Sequence, residues 1–400
     1  MPRKNFNPKN FELDVDHPWT MAIHTNDMIV LNPQLDLDHP DDLDEQTRVS
    51  IDHIRKLLAD VGCTVADITN LRVEYVNKGD VDEDTYRQSI VDQLPDLNGA
   101  TIEMVPFDRL VLPELLVEIC TYAMAKQDGS KLERVSVNPT DLHHPGAPLS
   151  QGLKCGKLVY VGQQVPRDEN GTVVHEGDFS RQSALVLDQL NTVLTELGAD
   201  LSDCVRLNVF YDCSVTQAEW TAFAKHLKTR FGDGPGPSLT AIPLPRLYPS
   251  GTKIVACAWA MRGEDGGKLE KKYAGLTRNA QMPDNLLWRH GIECADMVLV
   301  GGQAAFDADG SVQFANDHVQ QTKQTMDNID ATLSELGLRL QDVHKINSYY
   351  VLSTVDEFNE NLETRSHYFQ KPGPGSVGLP LDSLSADGLR IEVEAILVKQ

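Results

Sequence analysis

The chain carries at residues 188–203 the segment DQLNTVLTELGADLSD, and its pattern recurs at residues 52–67 and 327–342. One formula fits all three segments: Asp-x-[Ile/Leu]-x3-Leu-x-[Asp/Glu]-[Leu/Val]-Gly-x4-Asp. The apolar residues between 187 and 197 fall on one face of a helix, and Gly198 then suits the left-handed backbone that ends many helices. A triple match at the same spacing indicates three copies of one structural unit.

The flanks of this helix repeat as well. A strand-like run that ends on glutamine precedes it, at residues 28–34, 158–164 and 297–303. Another strand, a second amphipathic helix, a loop rich in proline and glycine and two further strand-like runs follow it. Each unit is therefore predicted as β-β-α-β-α-β-β. The first unit is shorter between its glutamine and its helix, which predicts a trimmed β-hairpin there.

Composition places the unit boundaries. Residues 126–131 are polar, and residues 262–272 are charged and rich in glycine, as linkers are. The predicted units span residues 15–126, 133–262 and 273–400.

Charge and cysteine usage limit the partners and the compartment. The net charge of −23 disfavours binding to phosphate backbones, so no nucleic-acid partner is predicted. No apolar run is long enough for a membrane span, and the N-terminus lacks the apolar core of a signal peptide. Seven cysteines without a CxxC motif fit a reducing compartment, so a cytoplasmic location is expected. No metal-ligand spacing occurs, and neither a metal nor another cofactor is predicted.

Four segments of units two and three share the motifs of one known family. They are GAPLSQG at 146–152, VYVGQQVP at 159–166, VGGQ at 300–303 and RIEVEAI at 390–396. Through them the chain resembles the reactive-intermediate deaminase family (Rid, YjgF-type), strongly in units two and three and weakly in unit one.

The resemblance implies both a fold and an activity. The fold class is α/β (α+β), with three tandem chorismate-mutase-like or YjgF-like domains, each a mixed β-sheet with two helices on one face. Family members form trimers with ligand sites in the clefts between subunits, and many hydrolyse imines or enamines derived from amino acids. Three fused copies would build that trimer within one chain, as a monomeric pseudo-trimer with the sheets around its centre.

The resemblance also implies an arginine after the loop rich in proline and glycine, where it holds the substrate carboxylate through two parallel hydrogen bonds. The aligned positions hold Ile102, Leu239 and Ser376 instead. We therefore expect weak deamination of 2-aminoacrylate, and a substrate that is not anchored by a simple α-carboxylate.

Other positions keep residues suited to the chemistry. The glutamate that the resemblance implies on the closing strand matches Glu118 and Glu392, with Val255 in unit two. A carboxylate facing a cleft can orient or deprotonate water, so both glutamates are predicted to be catalytic, and the cleft formed with Val255 is predicted to be inert. The alternative is a pair of edge-strand glutamates that face solvent. The predicted substrate-binding residues are Ser150, Gln151, Trp288, Arg289, Leu239 and Ser376, although Arg289 also fits an ordinary surface arginine.

Three functions remain open from the sequence. The first is hydrolysis of a C–N bond in an imine, enamine or amide of a small metabolite. The second is non-catalytic binding of a small molecule on the same scaffold, and the third is a protein-interaction scaffold that uses the acidic surface.

Overall fold

A computed structural model describes residues 3–7, 17–232, 235–275, 289–307 and 310–400. It contains three units of the same architecture. Unit 1 comprises β1 (Lys4–Phe6), β2 (Ala22–Thr25), β3 (Met28–Gln34), α1 (Leu43–Asp60), β4 (Ile68–Val76), α2 (Glu83–Gln93), β5 (Thr101–Phe107) and β6 (Val117–Met124). Unit 2 comprises β7 (Arg134–Val137), β8 (Gly152–Cys155), β9 (Leu158–Gln164), α3 (Phe179–Glu196), β10 (Cys204–Asp212), α4 (Gln217–Phe231), β11 (Ser238–Leu244) and β12 (Ile254–Met261). Unit 3 comprises β13 (Lys271–Ala274), β14 (Gly291–Cys294), β15 (Met297–Ala304), α5 (His318–Glu335), β16 (Lys345–Tyr350), α6 (Val355–Ser366), β17 (Gly375–Pro380) and β18 (Ile391–Val398).

The three sheets share one topology. Their strand orders are β1-β2-β3-β6-β4-β5, β7-β8-β9-β12-β10-β11 and β13-β14-β15-β18-β16-β17. The last pair in each sheet is parallel and the other neighbours are antiparallel, so each sheet is mixed, as predicted. In each unit the first helix packs on the sheet and on the second helix.

The repeated motif is explained by helix capping. Each first helix begins after an aspartate whose side chain accepts a backbone N–H, at Asp42, Asp178 and Asp317. The motif glycine follows the helix with a positive φ, +74° at Gly198, which costs a residue without Cβ little. The closing aspartate accepts the backbone N–H of the residue three positions earlier, at 2.9 Å between Asp203 and Asp200. The end of the helix and the cap of the next turn therefore fix the Gly-x4-Asp spacing of the motif in all three units.

The structure adds one strand to each predicted unit. The predicted β-β-α-β-α-β-β order is confirmed, but one more strand stands at the start of each unit: β1, β7 and β13. β1 precedes the predicted start at residue 15, and β13 begins inside the segment interpreted as a linker. We propose that each unit begins with this additional strand. The β-bridges Arg167–Val173 and Phe306–Val312 form in units 2 and 3, whereas residues 35–42 of unit 1 form none, in agreement with a trimmed hairpin.

The three units close into a ring through their sheets. β5 packs on β9, β11 on β15, and β17 on β3, so each unit contacts both of the others. Side chains from all three sheets meet in shared apolar clusters, one of which includes Tyr122, Trp259 and Ile396. The helices cover the outer faces, as predicted. That the whole chain is a monomer stays a prediction.

Glycine permits this close approach at two of the three contacts. A Cβ on Gly301 would lie 2.5 Å from the carbonyl oxygen of Leu239, closer than real Cβ atoms come. A Cβ on Gly162 would lie 3.2 Å from the Cβ of Thr101, which is a tight contact but a less severe one. At the third contact Asn32 takes the equivalent place, and its Oδ1 accepts the backbone N–H of Ser376 at 2.6 Å.

None of the described helices is long and apolar enough to span a membrane.

Candidate functional site

Each contact between units forms a cleft. We name the clefts by their units: the 1–2 cleft (β5 and β9), the 2–3 cleft (β11 and β15) and the 3–1 cleft (β17 and β3). Strand register places Ile102, Leu239 and Ser376 at the same position of β5, β11 and β17. The three positions at which an arginine is missing are therefore equivalent in space, one in each cleft.

The closing-strand position is equivalent in the three units as well. Register pairs these positions with equivalent residues of the neighbouring strand: Glu118 with Glu74, Val255 with Phe210, and Glu392 with Tyr349. Glu118 and Glu392 are only 4% and 7% exposed, so the alternative of glutamates that face solvent is wrong. Their role in catalysis stays a prediction.

The 3–1 cleft holds a guanidinium that reaches it from a helix. Arg365 lies near the end of α6, and its Nε donates to Asn361 Oδ1 at 2.9 Å. Its Nη1 donates to Ser348 Oγ at 2.7 Å and lies 3.4 Å from Ser376 Oγ. The centre of the guanidinium is 6.0 Å from the ring centre of Trp19, which unit 1 contributes. Arg365 therefore occupies the place beside Ser376 where the strand arginine is missing.

This guanidinium is buried without a counter-charge. Arg365 is 1% exposed, and no carboxylate of the described residues forms an ion pair with it. Burial lowers its pKa to about 10, opposed only by Tyr350. A buried unpaired charge costs several kcal/mol, so such a group is a candidate for binding an anion.

Other polar groups of the same cleft also lack partners. Within the described part of the chain, Trp19 Nε1, Glu118 Oε1 and Tyr350 Oη are buried atoms without a hydrogen bond. The pKa of Tyr350 is raised, first by burial, and both Arg365 and Glu118 are near enough to act on it. Burial and then Glu74 raise the pKa of Glu118 well above its usual range, although Lys345 and Arg72 act in the opposite direction.

Alignment along the chain places no arginine beside Ser376. The strand position does hold Ser376, but Arg365 reaches it from α6. Counted from the N-caps Asp82, Thr216 and Thr354, the equivalent residues of the other units are Gln93 and Leu227. In the sequence, the sign of this group is an arginine on the second helix of unit 3, at a position where units 1 and 2 have neutral residues.

The 2–3 cleft contains the second glutamate. The Glu392 carboxylate packs against Gly302, and burial followed by Glu394 raises its pKa to about 8. The backbone of Leu239 packs on unit 3, and its side chain joins the apolar core of unit 2. Arg289 is half-buried, and its Nε finds no partner among the described residues. Trp288 lies outside the described residues.

The raised pKa of Glu392 predicts a pH effect on stability. Between pH 4.5 and 8 the folded protein keeps a proton that the unfolded chain releases. The contribution of this group to stability is therefore full below pH 4.5 and is lost as the pH rises towards 8. Each pKa unit corresponds to about 1.4 kcal/mol.

We expect Glu392→Gln to remove the decrease in stability that Glu392 causes as the pH rises towards 8. Urea unfolding at pH 5 and pH 8 should show that the variant gains stability over the wild type only at the higher pH. An equal difference at both pH values would contradict the assignment.

The 1–2 cleft contains a cavity of about 60 Å³. Ser150 and Gln151 both line it, as does Ile102 from unit 1. The Ser150 hydroxyl is held by backbone carbonyls and lies 2.9 Å from that of Gly152. That this cleft is inert stays a prediction.

The predicted site residues therefore fall into three places. Ser376 lies in the 3–1 cleft, where Glu118 of unit 1 is near Tyr350 of unit 3. Leu239 lies in the 2–3 cleft, where Glu392 of unit 3 is near Tyr211 of unit 2. Ser150 and Gln151 line the 1–2 cleft, and Arg289 is near Tyr273 and His290 of its own unit. No group of three or more histidine, cysteine or acidic residues suited to a metal ion occurs in the ranges that the structure describes.

Comparison with known proteins agrees with this architecture. The family model described as Endoribonuclease L-PSP matches residues 141–254 and 282–399. The chain belongs to this family. Together with its similarity to RutC family proteins, this match confirms the Rid-type resemblance. The family model matches units 2 and 3, and the described sheets show unit 1 as a further copy of the same fold.

Individual relatives match single units. A RutC family protein of Pyrococcus abyssi is 33% identical over 113 residues, which is 28% of this chain and 87% of that protein. The 3-aminoacrylate deaminase RutC of Acinetobacter baylyi is 36% identical over 66 residues, which is 16% of this chain and 52% of that protein. A chorismatase crystal structure has a TM-score of 0.55 at 11% identity and covers 83% of this chain and 93% of its own, which shows a shared fold.

Proposed function

We propose that this protein hydrolyses the C–N bond of a small imine or enamine that carries a carboxylate, and that it does so in the 3–1 cleft. The observation that supports this proposal is the Arg365 guanidinium, which is buried beside Ser376 without a carboxylate partner. A substrate carboxylate would supply the missing counter-charge. The relative named 3-aminoacrylate deaminase is described by a substrate of this class, an enamine with a carboxylate.

Glu118 is the group proposed to move protons. In its protonated form, which burial favours, the carboxyl group can protonate the carbon of an enamine to give the imine, or protonate the imine nitrogen. Water then adds to the imine carbon and gives up a proton to the carboxylate that Glu118 has become. Glu118 then gives this proton to the amine nitrogen, and the C–N bond breaks as the hydroxyl group of the tetrahedral intermediate becomes a carbonyl and returns its proton to Glu118. Ammonia and a carbonyl product leave. Burial supports this role because it raises the pKa of Glu118 and so favours the protonated carboxyl group.

Ammonia release tests the proposal. The substrates are 2-aminoacrylate and 3-aminoacrylate, each generated in the assay. We expect turnover by the wild type and a decrease of about 100-fold or more in Glu118→Gln, the lower range for loss of a general acid or base. Glu114→Gln serves as the control because Glu114 is an exposed glutamate of the same unit.

The same assay shows which cleft is active. Loss of activity in Glu392→Gln but not in Glu118→Gln would move the reaction to the 2–3 cleft. Binding of small carboxylates without any ammonia release would instead support the second candidate, a non-catalytic binding protein, which the buried guanidinium also fits.

A further inference from the structure

The first strand of each unit carries a basic residue at one equivalent position. Arg134 of β7 and Lys271 of β13 pair with the last residue of the strand that follows. One residue before the paired part of β1, the same register places Arg3 opposite the last residue of β2. The three basic side chains therefore start from equivalent places at the edge of each sheet.

All three side chains cross to another unit. Each donates to the carbonyl group directly after the closing aspartate of the repeated motif, and the pairs are Arg3 with Val343 at 3.1 Å, Arg134 with Ile68 at 2.7 Å and Lys271 with Cys204 at 2.7 Å. These bonds join unit 1 to unit 3, unit 2 to unit 1, and unit 3 to unit 2. Two chemically different cations make this contact, so it belongs to the position in the fold rather than to one side chain.

At the 3–1 cleft the contact extends to the loop rich in proline and glycine. Arg3 Nη2 also donates to the carbonyl oxygen of Gly373, which accepts the Thr20 hydroxyl at 2.7 Å as well. Gly373 N donates to Pro18 O at 2.7 Å, and Thr20 N donates to Pro374 O at 3.0 Å. Two short segments, one from each unit, are therefore joined, with the Arg3 guanidinium on a carbonyl that both of them use.

Trp19 lies in the middle of the unit 1 segment and forms a wall of the cleft. Its ring meets Phe369 of unit 3 edge to face, at 5.6 Å between ring centres, and lies 6.0 Å from the Arg365 guanidinium. Gly373 has no room for a side chain, since a Cβ there would lie 2.9 Å from Pro18. The pairing of the two segments thus sets the distance between Trp19 and Arg365.

We propose that Arg3 is a positioning residue of the 3–1 cleft, because its bond to Gly373 fixes Trp19 beside Arg365. This role rests on the function proposed for the cleft. Arg3 is half-buried, and burial lowers its pKa to about 10, opposed by Asp342, so the guanidinium stays charged at neutral pH. A charged donor makes a stronger hydrogen bond to a carbonyl group than a neutral one does.

The same contact at the 1–2 cleft supplies a matched control. Arg134 Nη2 donates to Asn98 O at 3.2 Å, and Gly99 N donates to Pro148 O at 2.9 Å. Arg134→Met therefore removes an equivalent set of bonds without touching the 3–1 cleft.

Two measurements on the full chain test the role of Arg3. Calorimetric titration with 2-oxobutanoate, a stable analogue of the carbonyl product, should show binding weakened by about tenfold or more in Arg3→Met and within about twofold of the wild type in Arg134→Met. Arg3→Lys should recover most of the affinity, since Lys271 makes the equivalent contact. Hydrogen exchange at the Thr20 and Gly373 amides should become about tenfold faster in Arg3→Met and stay unchanged in Arg134→Met.

Equal weakening of binding in the two methionine variants would overturn the proposal, because Arg3 would then act only on overall stability. Unchanged exchange at Thr20 and Gly373 in Arg3→Met would overturn it as well, and so would faster exchange with unchanged affinity. If the wild type does not bind 2-oxobutanoate, the function proposed for the cleft is wrong, and the exchange measurement alone then decides whether Arg3 positions Trp19.

Discussion

Arg365→Met is expected to raise the temperature of thermal unfolding and at the same time to abolish carboxylate binding. The guanidinium is buried, its hydrogen-bond partners are neutral, and its lowered pKa records the cost of that burial. Methionine fills a similar volume without a charge, and replacing a buried ion pair by apolar side chains of similar volume is neutral or stabilises proteins by about 1–4 kcal/mol. The same range is expected here because no partner charge would be left unpaired. Loss of hydrogen bonds to Asn361 and Ser348 offsets part of that gain.

The loss of function should be larger than the gain in stability. A charge-assisted anchor contributes on the order of 2–4 kcal/mol, or about 30- to 1,000-fold in kcat/KM. Calorimetric titration with 2-oxobutanoate, a stable analogue of the carbonyl product, measures binding without turnover, and ammonia release measures turnover. A variant that is destabilised but still binds 2-oxobutanoate would show that Arg365 has a structural role only.

The repeat could be predicted because its signal is local. The motif glycine follows the end of the helix, and the closing aspartate caps the next turn within a few residues of it, so their spacing survives in units whose other residues have diverged. The extra strands β1, β7 and β13 escaped prediction because each has only three or four residues, too few for a clear alternation.

The clefts could be predicted only in part, because their residues come from two units. Alignment along the chain correctly made Ile102, Leu239 and Ser376 equivalent, but it could not show Arg365 beside Ser376. A long side chain from a helix reached a place that the family fills from a strand. For the same reason Glu83 and Arg87 of unit 1, which line the cavity of the 1–2 cleft, could not be grouped with Gln151 of unit 2 before the ring was known.

The buried arginine Arg206 provides the opposite case to Arg365. Its Nη2 donates to Glu394 Oε1 at 2.6 Å, and that carboxylate also accepts from Asn347 Nδ2 at 2.6 Å and Thr240 Oγ1 at 2.7 Å. Arg72 of unit 1 approaches it to 3.9 Å, so the carboxylate joins all three units. Burial alone would raise the pKa of Glu394, but Arg206 and Arg72 outweigh it, and the pKa is lowered.

We therefore expect Arg206→Met to destabilise the protein by about 3–5 kcal/mol, because it leaves a buried carboxylate without its strongest partner. Urea unfolding at pH 7 measures the loss, and Arg206→Met combined with Glu394→Leu should recover much of it, since the pair is then replaced rather than broken. The lowered pKa adds a second criterion. The stability that Glu394 contributes is present above the usual pKa range of a glutamate and is lost as the pH falls through the pKa of Glu394 in the folded protein. The destabilisation caused by Arg206→Met should therefore become smaller in acid.

The same arginine-to-methionine change would then stabilise at position 365 and destabilise at position 206. Equal signs at the two positions would mean that a missing counter-charge does not distinguish Arg365, and the proposed anion site in the 3–1 cleft would lose its physical basis.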